Sequence, residues 1–209
     1  NCPSDSFIHT LVESLSSKLD NHPVRTRNEV HAYINLYTCY TVLLVAAGLG
    51  FRSRIDPKPN LNLVQTPFFP KGFACFADKQ STEGHFRVQI VPDIVLEHLK
   101  QYDLFRESVS NLLGGDVLTK AGNPLFTYIT ENGNARPFAP SDLNSLMRDE
   151  FHFSMNCFRR RMRSKMVAYD GANAAELGRN YAIWMGHWTN WTNPFRVEAG
   201  FNTRSMVDL

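Results

Sequence analysis

The sequence predicts a mostly helical α+β domain, and three features of it carry the prediction. Helix-period stretches open the chain, an alternating stretch joined to a polar loop lies near the middle, and helix signals return from Pro92 onward. Helices, a small sheet and then helices again keep strands and helices in separate blocks, which is the α+β arrangement.

The first element lies within residues 1–25. There "FIHTLVESLSSKL" spaces Phe7, Ile8, Leu11, Val12, Leu15 and Leu19 along one helix face and ends in the turn-forming "DNHP". This segment is expected to be a helical extension or linker, with the main domain over residues 26–209. Thr26 followed by Glu29 fits a capping box, and a long helix is expected from there to about Gly48. It becomes wholly apolar towards its end, so that end belongs in the core. "GLGFRSRIDPKPN" then breaks the pattern with Gly and Pro, leaving Arg52 where a buried helix hands over to a turn.

The β signal is in "GFACFADKQSTEGHFRVQIVP". Its second limb alternates His85, Arg87 and Gln89 against Phe86, Val88 and Ile90, and the polar "DKQSTEG" joins the limbs into a hairpin with Lys79 near the turn. Pro92 and Asp93 open a helix through Tyr102, "NLLGGDVL" interrupts, and "PLFTYI" is a further short apolar stretch. Ser141 begins a helix through about Phe151, residues 154–168 form a basic helix, and Asn173 with Glu176 caps a last helix through Trp184.

Composition excludes several classes. The chain has 209 residues, 43% hydrophobic and 20% charged, ordinary values for one folded domain with a substantial core. No uninterrupted apolar run approaches the roughly 18–20 residues that span a bilayer. No secretory segment is evident, and the opening Asn1 in place of Met is what a fragment of a longer protein would show. Cys2, Cys39, Cys75 and Cys157 never form a CxxC pair, so neither a zinc site nor a redox motif is spelled out, and a reducing cytoplasm is the simpler setting. His85 and His152 lack metal-ligand spacing, and the glycines of "AAGLGF" and "LLGGD" match no nucleotide-binding fingerprint, so neither metal nor cofactor is expected. Net charge is only +2, but "RRRMRSK" puts five cations into the seven positions from Arg159 to Lys165.

Four dispersed polar residues stand at element ends or on one helix face: Arg52 after the buried helix, Lys79 in the hairpin, Arg159 within the basic helix and His187 at the end of the last helix. Asn156, three positions before Arg159, shares its helix face and can serve the same ligand. Guanidinium forks clasp a phosphate, an ammonium supplies a proton or a point charge, and imidazole adds a hydrogen bond. Taken singly, each has a plainer reading: Arg52 as a helix-end cation, Lys79 as a solvated loop residue, His187 as a helix-end residue bonded to backbone.

Taken together, "AAGLGFRSR", "DKQSTEGHFRVQIVP", "NCFRRRMRSKM" and "WMGHW" resemble the successive motifs of the tyrosine recombinase (phage integrase) family, in order from about Asn28 to His187. The resemblance implies a recombinase-type catalytic bundle with a small antiparallel hairpin, acting on double-stranded DNA as a homo-oligomer. It implies DNA integration or recombination by a mobile element, in a bacterial cytoplasm at the nucleoid, with no membrane and no cofactor. Arg52 and Arg159 would grip the scissile phosphate, Lys79 would protonate the leaving 5′-oxygen, and His187 would hydrogen-bond the phosphate. Arg160, Arg161, Arg163 and Lys165 would contact DNA.

Two departures stand out. The family's histidine three before the second arginine is Asn156 here, which hydrogen-bonds but is no base near neutral pH. The nucleophilic tyrosine should follow His187 by two to three turns, yet no tyrosine follows Tyr181, and Phe195 is the nearest aromatic. A phenyl ring has no oxygen with which to attack phosphorus. An engineered substitution, a natural loss and a tyrosine beyond Leu209 all fit the sequence. So do a catalytically silent DNA-binding protein and a helical module whose basic helix meets an acidic protein.

Overall fold

The first helix starts where the sequence supplies a cap. In the computed structural model, which describes residues 3–50, 62–66, 69–76, 87–115, 117–122, 124–147 and 156–168, helix α1 runs Asp5–Asp20. The Ser4 hydroxyl accepts the Phe7 N–H at 3.1 Å, satisfying one of the four donors that a helix start leaves open. Leu11 and Leu15, one turn apart, are buried in the main core. Helix α1 therefore shares its buried face with the core that α2 builds. A helix this amphipathic has an apolar stripe to cover, and α2 covers it.

Helix α2 (Arg27–Leu49) begins with the expected capping box. Thr26 Oγ1 accepts the Glu29 N–H at 3.3 Å, and the Glu29 carboxylate accepts the Thr26 N–H at 2.7 Å and the Arg25 N–H at 2.9 Å. Gly50 ends the helix in the left-handed region and donates its N–H to the Ala46 carbonyl at 2.8 Å. The helix is the centre of the molecule, flanked by α1, a third helix and a short strand. By length and composition it could cross a membrane, although no uninterrupted apolar run in it is that long. Its buried Asn35, Thr38 and Thr41 all find partners inside the protein.

Three strands follow: β1 (Asn62–Thr66), β2 (Phe69–Phe76) and β3 (Arg87–Ile90), paired antiparallel in that order. The β2–β3 pair is the expected hairpin, with Ala74 opposite Gln89 and Phe76 opposite Arg87. Strand β1, with an irregularity between Val64 and Thr66, extends it to three strands. Lys79 in the joining loop lies outside the described residues.

Helix α3 (Asp93–Leu113) continues well past the expected end at Tyr102. The reason is an apolar stripe that outlasts the polar run around it: Val95, Leu99, Tyr102 and Val109 are buried and Phe105 half-buried, all at helical spacing. Gly114, at φ 108°, stops it. A short helix α4 (Val117–Lys120) leads to a second hairpin, β4 (Thr127–Ile129) with β5 (Ala135–Pro137). The second half of "PLFTYI" is thus a strand, and the turn that follows passes through Asn132 and Gly133, the latter at φ 80°. Helix α5 (Pro140–Leu146) starts near the expected Ser141 and, among the described residues, closes at Met147. Asp142 reaches back to the Ala139 N–H at 2.7 Å and pairs bidentately with Arg136. Helix α6 (Asn156–Val167) is the basic helix, close to the expected 154–168. The helix expected through Trp184 lies outside the described residues.

The whole is a mostly helical α+β arrangement with small antiparallel sheets. One buried cluster unites α1, α2, α3, α5 and α6 through residues such as Leu15, Leu49, Leu99, Leu143 and Phe158.

Candidate functional site

Helix α6 carries both apolar anchors and cations, and the anchors decide which cations face inward. Cys157 and Phe158 are buried in the core, and they draw the adjacent Arg159 in with them to 7% exposure. An arginine is rarely buried so far without partners. Arg159 Nη1 donates to the Gly50 carbonyl at 3.0 Å, across 109 positions of sequence. A cation here also faces the carbonyl end of α2, where the helix dipole is negative. The approach is close: a side chain on Gly50 would meet Met162 Sδ and Arg159 Cγ. Gly50 stands two residues before Arg52.

Asn156, expected to share Arg159's face, opens the helix and is exposed. Positions three apart are offset by about 60° around a helix, enough to put Arg159 inside the edge of the buried wedge and Asn156 outside it. The other basic residues divide. Arg160, Arg163 and Lys165 are exposed and Arg161 is partly covered. Arg161 and Lys165 both turn to Asp5 in the first turn of α1. Arg161 Nε lies 2.9 Å from Asp5 Oδ1, which Arg161 Nη2 also reaches, and Lys165 Nζ lies 2.8 Å from Asp5 Oδ2. Lys165 first, then Arg161, hold the Asp5 carboxyl below the usual carboxylate range. Arg52, Lys79, His187 and Phe195 lie outside the described residues.

Two other polar clusters bear on chemistry. The Tyr102 hydroxyl is buried at 2.9 Å from Thr38 Oγ1, and burial pushes its pKa up to about 12. His98 packs edge-on against Tyr37 and Tyr40 with Nε2 2.9 Å from Thr41 Oγ1, and burial lowers its pKa. Among the described residues, no three His, Cys, Asp or Glu side chains are gathered to hold a metal ion.

No family model, curated protein or solved structure matches the chain.

Sequence reasoning missed two residues of this region. Asp5 looks like an ordinary first-turn acid that complements the dipole of α1, and nothing local points to cations 156 and 160 positions away. Gly50 was readable as the helix terminator, but its role as the acceptor for Arg159 depends on how α2 and α6 meet.

Proposed function

We propose that this chain is the phosphate-gripping domain of a DNA strand-cleaving and rejoining protein of the tyrosine recombinase type. The observation that carries the reading is the contact of buried Arg159 with Gly50, two residues before Arg52. Two trans peptide units reach no more than about 7 Å, and on this proposal Arg52 joins Arg159 at the end of α2. Two guanidinium groups at such a point form the kind of bidentate cradle that a phosphodiester fits.

In the family that the sequence resembles, a tyrosine oxygen attacks phosphorus. The tyrosine hydroxyl gives up its proton to a neighbouring base or water, the 3′-phosphotyrosyl bond forms as the bond to the 5′-oxygen breaks, and that oxygen takes up a proton, a role that the resemblance gives to Lys79. The arginines, with His187 and Asn156 as hydrogen-bonding groups, stabilise the charge that builds on the phosphoryl oxygens; positioned charge is commonly the largest catalytic contribution in such steps. The partner is double-stranded DNA, bound by a homo-oligomer in the cytoplasm. A second reading rests on Phe195, the aromatic nearest in sequence to the expected tyrosine and one without its oxygen: a catalytically silent DNA-binding protein of the same fold that holds recombination sites.

Binding of duplex DNA over a salt series tests both readings. The Arg52→Ala, Arg159→Ala double variant should bind more weakly, with a salt slope shallower by about 0.9 for each phosphate it no longer neutralises. Unchanged affinity in a double variant that retains its circular dichroism would remove the phosphate cradle from both. The readings part on Phe195→Tyr with a nicked suicide substrate: covalent protein–DNA adduct marks a preserved active centre, and its absence beside intact binding favours the silent form.

A further inference from the structure

The bridge between α1 and α6 has the form of an occupied anion site. Arg161 and Lys165 are one turn apart on the same face of α6, and one carboxylate spans them, each oxygen taken by one cation. Two non-bridging oxygens of a phosphate would engage the same pair in the same way. The site is open on its outer side: the Asp5 side chain is 65% exposed and that of Lys165 56%, while Arg161 is 20% exposed. Arg160 and Arg163 are also exposed but lie on other sides of α6, so the paired cations form a site of their own.

We propose that Asp5 is an intramolecular stand-in for a DNA phosphate, so that DNA engages Arg161 and Lys165 only by displacing the first turn of α1. The inference rests on the DNA reading above and adds a self-masking contact to it. Exposed ion pairs are weak in water and weaken further with salt, so a polyanion that brings many phosphates at once displaces a single carboxylate. Asp5 is nonetheless well placed to compete. Its charge lies at the positive end of α1, and the Ser4 cap and the buried Leu11 and Leu15 hold that helix against the core. The effective concentration of a tethered competitor is high, so masking lowers DNA affinity without abolishing it.

The test is fluorescence anisotropy of labelled duplex DNA with the whole chain and two variants that alter net charge equally. Asp5→Asn frees the two cations. Glu13→Gln removes an exposed acid of the same helix that pairs with His9 and does not touch α6. Asp5→Asn is expected to bind several-fold tighter than both wild type and Glu13→Gln, with a similar salt slope, since the displaced wild type ends with the same phosphate contacts. Equal affinity in Asp5→Asn and wild type would overturn the masking while leaving the DNA reading intact. Weaker binding by Asp5→Asn would also overturn it, since Asp5 would then be arranging the cations and not occupying their site. If no protein in the set binds DNA, the DNA reading itself falls, and the masking with it. Poly-glutamate gaining affinity in Asp5→Asn while DNA does not would assign the cradle to an acidic peptide and overturn the proposal for DNA.

Discussion

Replacing Gly50 with alanine tests the junction on which the proposed function depends. Gly50 has φ 54° and ψ 37°, in the left-handed region where a Cβ crowds the following carbonyl oxygen, at a cost of about 1 kcal/mol or somewhat more. The new Cβ would also lie 2.9 Å from Met162 Sδ and 3.4 Å from Arg159 Cγ. The thioether can swing aside, but the Arg159 stem is fixed by the bond to the Gly50 carbonyl. Relief has to come from a shift of α6, and overpacking of this kind adds about 1 kcal/mol or more. The expected loss is about 2 kcal/mol, a fall in Tm of roughly 4–8 °C for a domain of this size. Gly122→Ala separates the two contributions. Gly122 is also left-handed, at φ 81°, with nothing within 4 Å of an added Cβ, so it should show the backbone cost alone. Urea denaturation followed by circular dichroism reads both, as a shift in midpoint at constant slope. A Gly50→Ala loss no larger than that of Gly122→Ala would refute the close approach of α6 to the end of α2.

Two further outcomes follow from the buried polar groups. Asn35 Nδ2 donates to the Ile129 carbonyl at 2.8 Å and its Oδ1 accepts the Ile129 N–H at 2.7 Å, so Asn35→Ala strands both backbone groups in the core and should cost about 2–4 kcal/mol by urea denaturation; a loss below about 1 kcal/mol would contradict the pairing. Burial lowers the pKa of His98, and burial followed by the nearby Arg27 lowers that of His31, whose ring nitrogens are enclosed without a hydrogen-bond partner. The native protein then binds fewer protons than the unfolded chain, so stability present above pH 6.5, the ordinary value, is lost as the pH falls below it. Urea midpoints at about pH 7.5 and about pH 5.5 should differ in the wild type and converge in a His31→Gln, His98→Gln double variant, whatever its absolute stability; an equal pH dependence in both would count against the buried neutral rings.

Residues on one helix could be read from the sequence because the forces involved act within a turn or two. Thr26 and Glu29 are close enough for a capping box before any tertiary contact forms, Gly50 and Gly114 end their helices by backbone freedom alone, and the spacing of Leu11 and Leu15 fixes which face of α1 seeks cover. The β2–β3 hairpin declared itself through period-two alternation in β3. Periodicity failed where apolar residues thin out without stopping, as in α3 beyond Tyr102, and where a strand is only three residues long, as in β4 and β5. Even there Asn132-Gly133 was a turn signal in plain view.

Of the candidate site, the sequence supplied the residues on which the proposal rests: a helix dense in cations, an arginine just after a buried helix, and a phenylalanine as the aromatic nearest to where the resembling family has tyrosine. It could not say which cation of α6 turns inward, because five cations in seven positions point around most of the helix. Packing of Cys157 and Phe158 chose Arg159 and set it against Gly50. The same docking laid α6 beside the start of α1 and gave Arg161 and Lys165 to Asp5. Both outcomes join residues more than a hundred positions apart. Sequence pattern shows which face of an element must be covered, and only the assembled core shows what covers it and which charges are carried along.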